Sequence, residues 1–205
     1  MNRLRSLLAI LALIATVAGC AKMPPTHYYT LGPRTSSDTG ATGSAATDTE
    51  GWSVGVRSFQ VDAPFDQDRI VYRIGDGSSE VGFYAYHRWA APPASMLPVL
   101  VARAMHGAAG IRRIEPVMAG RTYTAYLDGR VLSLEEVDRA DGQLVRARLA
   151  LWLTAADGSE VWSGTVEAEG ATQTSEVAIV VDRMADVLAE ALAQAREDLA
   201  AHLAP

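Results

Sequence analysis

The sequence predicts an α+β fold, an α/β sandwich in which a mixed or antiparallel sheet is covered by two helices within a single domain. Three observations carry this. After one short isolated strand, stretches with alternating apolar residues come in two runs of three, and each run is closed by a stretch with apolar residues at helical spacing. The 205 residues suffice for one domain with a tail and are too few for two ordinary ones. Hydrophobic residues make up 49% of the chain and charged ones 20%, a balance that supplies a core and a solvated surface.

The N-terminus is read first. Arg3 and Arg5 precede an uncharged apolar run, residues 7–18 (LLAILALIATVA), which ends at Gly19 and the single cysteine, Cys20. A basic start, a short apolar run and small residues are the layout of a secretory signal, and the run is shorter than the ~20 residues a membrane span needs. Val17-Ala18-Gly19-Cys20 is similar to a bacterial lipobox. The thiol must attack a lipid donor at the membrane surface, so it has to stand where the apolar run ends. Residues 1–19 are therefore expected to be a lipoprotein signal peptide, Cys20 the acylated residue, and 20–25 a tether. One cysteine forms no internal disulfide. Ala21, where Asp would act as an inner-membrane retention signal, points to the outer membrane, with the domain on its periplasmic face in a Gram-negative cell. Loss of 1–19 leaves 16 basic residues against 24 acidic ones, a charge of −8. Such a surface gives no footprint for nucleic acid or anionic headgroups.

The domain is expected over 26–205. His27-Tyr28-Tyr29-Thr30-Leu31 reads as a short strand of its sheet. Residues 33–51, almost entirely Ser, Thr, Gly, Ala and Asp, cannot bury enough apolar area to offset their ordering entropy and read as a flexible loop. Trp52–Val61 alternates as a strand until Asp62-Ala63-Pro64 breaks it. Arg69–Ile74 and Val81–Tyr86 flank the turn cluster 75–79 as a hairpin. Pro92-Pro93 opens a helix carrying Leu97, Leu100, Val101, Ala104 and Met105, with Gly107 or Gly110 near its end; Pro98 fits only in the first turn. Tyr123–Glu136 follows as a strand in which Asp128-Gly129-Arg130 marks a bulge. Gln143–Thr154 and Glu160–Ala168 pair about the tight turn at 155–158. Ser175–Leu203 has apolar residues at 177, 180, 181, 184, 187, 188, 191, 192, 195, 199 and 203, an amphipathic helix expected to cover its own sheet.

Little in this pattern carries chemistry. His87, among Tyr84, Tyr86 and Trp89, invites a general-base reading, but no motif supplies its partner, so it is expected to be a packed or hydrogen-bonded residue. His27, His106 and His202 lack metal-ligand spacing. Gly75-Asp76-Gly77 reads as a turn because no helix start follows it. Three of the four tryptophans are expected in the core.

Two segments carry a resemblance. Tyr28-Tyr29-Thr30-Leu31-Gly32-Pro33 follows soon after the cysteine. Val54-Gly55-Val56 then leads through Asp68-Arg69-Ile70-Val71-Tyr72-Arg73 to Tyr86-His87-Arg88-Trp89-Ala90-Ala91-Pro92. Together they resemble the ABC-type transport auxiliary lipoproteins, the group that includes paraquat-inducible protein C. The resemblance implies a periplasmic α/β domain tethered to the outer membrane, a docking piece beside an MCE-domain protein, a permease and an ATPase that move lipid across the envelope and keep the outer membrane intact. It implies no catalytic residue and no cofactor beyond the covalent lipid on Cys20. Tyr28, Tyr29, Leu31, Tyr86, His87, Arg88 and Trp89 match the family's motifs as binding or structural residues. A structural or pilot lipoprotein of a secretion or polysaccharide export assembly is the alternative, and the acidic C-terminal helix also allows a homo-oligomer.

Overall fold

The computed structural model describes residues 23–32, 51–172 and 174–204. Cys20, the 1–19 signal and the 33–51 loop apart from Gly51 lie outside the described residues. The elements run β1 (His27–Tyr29), β2 (Trp52–Val56), β3 (Gln60–Val61), β4 (Arg69–Ile74), β5 (Val81–Trp89), α1 (Pro93–Ala104), β6 (Ile111–Pro116), β7 (Ala125–Arg139), β8 (Gly142–Ala155), β9 (Glu160–Thr172) and α2 (Val177–Leu203). All nine strands share one sheet. It is mixed: β1–β5, β2–β6, β2–β7, β3–β7 and β4–β7 pair parallel, and the hairpins β4–β5, β7–β8 and β8–β9 are antiparallel.

The long strand β7 is the spine. Along one side it pairs continuously with β8; along the other it takes β2, then β3, then β4 in succession. Both helices lie on one face. α2 turns Val180, Val181, Met184, Val187, Leu188, Leu192 and Leu199 onto the row Leu149, Leu151, Leu153, Trp162 and Val166 of β8 and β9, and all are buried. Among the described residues no side chain caps the N-terminus of α2. Its hold is the stripe itself, at about 1.5–3 kcal/mol per fully buried Val, Leu or Met. The helix covers its own sheet, as its periodicity requires.

Four expectations are corrected. Trp52–Val61 is not one strand: it splits into β2 and β3 because Phe59 turns inward and is buried over Gly129 of β7. Gly129 is consequently no bulge; the register shift falls further on, between Val131 and Ser133. Pro98 stands in the second turn of α1, with Pro93 at its start, so the Ala94 carbonyl loses its usual in-helix donor. The sequence also hides β6, whose IRRIEP has only two isoleucines to alternate; among the described residues it is an edge strand that pairs with β2 alone. Of the tryptophans, Trp89 and Trp162 are buried, Trp52 packs half-buried against the core, and Trp152 is half-buried in a strand row that excludes the core-facing Leu151 and Leu153.

Candidate functional site

The two resemblance motifs are strand neighbours. β1 and β5 pair parallel with His27 opposite His87, Tyr28 opposite Arg88 and Tyr29 opposite Trp89. The Trp89 N–H donates to the Asp68 carbonyl at 2.6 Å, and the Ala90 N–H to that of Tyr29 at 2.7 Å. Period-two alternation divides the motif residues between faces. Trp89 and Leu31 are buried, and Tyr29 packs half-buried against the same core. On the other side Tyr28 is 65% exposed, and Tyr86, next to His87 in the strand, 36%. Arg88 there forms an ion pair with Asp68 at 2.8 Å.

On the packed side the motif ends in a cluster of aromatic and titratable groups. Arg69 pairs with Arg88 and Val71 with Phe83, so β5 carries extra residues against β4, and Tyr84 and His87 lie within that irregular stretch. His87 Nδ1 and the Tyr29 hydroxyl are 2.8 Å apart. Burial, followed by the nearby His27, lowers the His87 pKa, which favours a neutral ring whose Nδ1 accepts the phenol proton. The His27 ring stacks on His87 at 5.2 Å, and Tyr84 meets it edge-on at 5.9 Å. Tyr72 tilts against Tyr84 at 5.1 Å and lies across Gly82, where a Cβ would collide with its ring. The Tyr84 hydroxyl donates to Glu136 Oε2 at 2.5 Å. Burial, then the bond to Glu136, pushes the Tyr84 phenol well up, so it remains a donor.

Glu136 is the residue that sequence reasoning missed. Its side chain is 1% exposed, and Oε1 has no partner among the described residues. Burial raises its pKa, the Tyr84 bond opposing the rise in part. The available signal was parity: Leu134 and Glu136 share a strand face, and Leu134 is apolar. The cluster joins β1 and β5 to the spine. Among the described residues no group of three or more His, Cys, Asp or Glu could hold a metal.

The Glu136 carboxyl yields a prediction. A folded-state pKa above the unfolded one favours folding at pH below the unfolded value of about 4.5, and that advantage is lost as pH rises through the folded pKa. Glu136→Gln removes the buried charge and keeps an acceptor for Tyr84. It should gain about 1 kcal/mol at pH 7.5, or about 2–4 °C in Tm, and nothing at pH 4. Thermal melts at the two pH values check this; an equal change at both would show that ionisation is not involved.

A second polar cluster lies at the far end of the sheet. Asp76, in the 75–77 turn, meets Arg139 at 2.6 Å and Arg146 at 3.0 Å; Arg146 also meets Glu169, and Arg73 meets Glu135 at 2.8 Å. Hydrogen bonding by Arg146 holds the Asp76 carboxyl below its usual range. Each of these guanidiniums already faces a carboxylate, so the cluster zips strands together and offers no free charge to a ligand.

Comparison with known proteins follows the fold. Protein XCC0632 from Xanthomonas campestris superimposes with a TM-score of 0.68 at 18% identity, covering 86% of this chain and 96% of that one. An uncharacterized protein gives 0.59 at 17% identity, covering 88% and 100%. The hypothetical protein CT253 from Chlamydia trachomatis gives 0.51 at 5% identity, covering 75% and 98%. At such identities the likeness is one of fold. No curated protein matches the sequence. The family model of the ABC-type transport auxiliary lipoprotein component matches residues 29–204, from the last residue of β1 through β5 and both helices. The chain belongs to the ABC-type transport auxiliary lipoprotein family.

Proposed function

We propose that this protein is a non-catalytic subunit of an ABC transporter of envelope lipid, held on the periplasmic face of the outer membrane by acyl chains on Cys20, and docked through the β1–β5 edge to an MCE-domain protein that works with a permease and an ATPase. The observation that carries this is the division of the family's motif. Its inward residues are spent on packing, while Tyr28 and Tyr86 stay exposed at a sheet edge where β1 has no second strand partner among the described residues. An open edge accepts another strand, and tyrosines are enriched where proteins meet.

Chain length supports the same placement. From Cys20 to His27 is seven residues, which span at most about 25 Å when extended. The anchor thus keeps β1 close to the bilayer. No helix among the described residues is long and apolar enough to cross a membrane.

The test is a Tyr28→Glu/Tyr86→Glu double variant, expressed at wild-type level in a strain lacking the gene. Tyr28 is 65% and Tyr86 36% exposed and neither belongs to the buried core, so the fold should hold. Loss of two interface aromatics should lower recovery of the MCE protein from detergent extracts by about tenfold or more and leave the outer membrane permeable. Full recovery and full complementation would contradict the docking edge, and recovery of a secretin or export pore in place of the transporter would contradict the transporter itself.

A further inference from the structure

The facing sides of α1 and α2 flank a groove of about 440 Å³, within the roughly 300–1,000 Å³ that small-molecule sites occupy. Leu100 and Ala104 of α1 form one wall; Leu188, Ala189 and Leu192 of α2 form the other. On α2 the lining runs from Ala185 to Ala200, roughly 22 Å at about 1.5 Å per residue. That exceeds the ~15 Å that one leaflet contributes to a hydrocarbon core about 30 Å thick.

The charges beside this apolar trough are of one prevailing sign. Arg103 and Arg196, both exposed, line it together with a single acid, Glu197. Arg196 donates to the Gly107 carbonyl at 3.3 Å, and the Arg103 guanidinium has no hydrogen bond or ion pair among the described residues. In a chain of net charge −6 this pair of guanidiniums stands out. The occupant is therefore long and apolar in body and anionic at one end. Residues 33–50, which begin next to the lining residue Gly32, contain no Val, Leu, Ile, Met or aromatic side chain and bring nothing to fill it.

We propose that the α1–α2 groove holds one acyl chain of an anionic membrane lipid, with the headgroup at Arg103 and Arg196. The assignment deepens the transporter reading and rests on it for the source of the lipid.

The test uses the full chain reconstituted in phosphatidylethanolamine–phosphatidylglycerol vesicles containing a trace of phosphatidylglycerol with a photoreactive tail. Irradiation should label peptides from 185–200 and 100–109. Ala189→Trp fills the groove from an exposed helix position and should abolish that label, with Ala193→Trp as a second blocking variant should the first fail to fold. Arg103→Glu/Arg196→Glu should cut it about tenfold, the worth of a lost charge-assisted contact. Label spread without excess in these peptides, or unchanged by a folded blocking variant, overturns the proposal. So does an unlabelled groove whose blocking strips the transporter proteins from detergent extracts, because a partner's helix then fills it. Failure of labelling with co-purification and permeability intact sinks the groove and leaves the transporter reading standing; the converse result sinks that reading alone.

Discussion

Cys20→Ala should shift the protein from the membrane pellet to the soluble periplasmic fraction and leave the outer membrane as permeable as deletion of the gene. Each buried methylene of an acyl chain contributes about 0.8 kcal/mol, and one chain alone gives only marginal attachment while two or more give a stable one. The rest of the chain supplies no substitute. At a charge of −8 after loss of 1–19, the domain as a whole is not drawn to an anionic bilayer, and one lipid held at two guanidiniums does not replace an acyl anchor. The pelleted share should therefore fall by about tenfold or more. A variant that still pellets after a high-salt wash would mean that a surface of the folded domain binds the bilayer, and one that complements fully would mean that anchoring is no part of the mechanism.

Gly129→Ala should be the most damaging single-atom change in the sheet. Gly129 lies in the spine strand, and an added Cβ would collide with the ring of Phe59, itself 4% exposed. The ring cannot move aside without leaving the core, and Phe59 is what divides β2 from β3. Overpacking at such a site costs about 3 kcal/mol, a Tm drop of about 6–12 °C. Gly170→Ala is the control. There the Cβ would meet the end of Arg183, a flexible side chain that is 30% exposed and can swing away from its place beside Glu190. Its cost should stay below about 1 kcal/mol. Equal melting temperatures for the two variants would show that the Phe59 ring is not fixed in place.

These two glycines also mark how far the sequence could be read. α2 was legible to its last residue and to within two at its start because ten of its periodic apolar positions are buried on its own sheet, so local pattern and tertiary need coincide. The 75–79 and 155–158 turns were legible for the same reason: Gly75, Gly77 and Gly158 adopt positive φ there, and Asp157 accepts the Ser159 N–H at 2.9 Å. Gly129 was misread as a bulge because its role is set by Phe59, seventy residues away along the chain. β6 was invisible because an edge strand with one buried residue, Ile114, needs little apolar alternation. Of the site, YHRW and YYTL were legible as motifs. Their pairing in register, the burial of Glu136 behind Tyr84 and the solvent exposure of Tyr28 and Tyr86 follow from strand order, which no local pattern encodes.

The most direct test of the account places a photo-crosslinking phenylalanine analogue at Tyr28 in the full, acylated chain in living cells. The account predicts a crosslink to the MCE-domain subunit of the transporter, lost when that subunit is deleted. A crosslink confined to a secretin or export pore, or none at Tyr28 while the protein still complements, would contradict it.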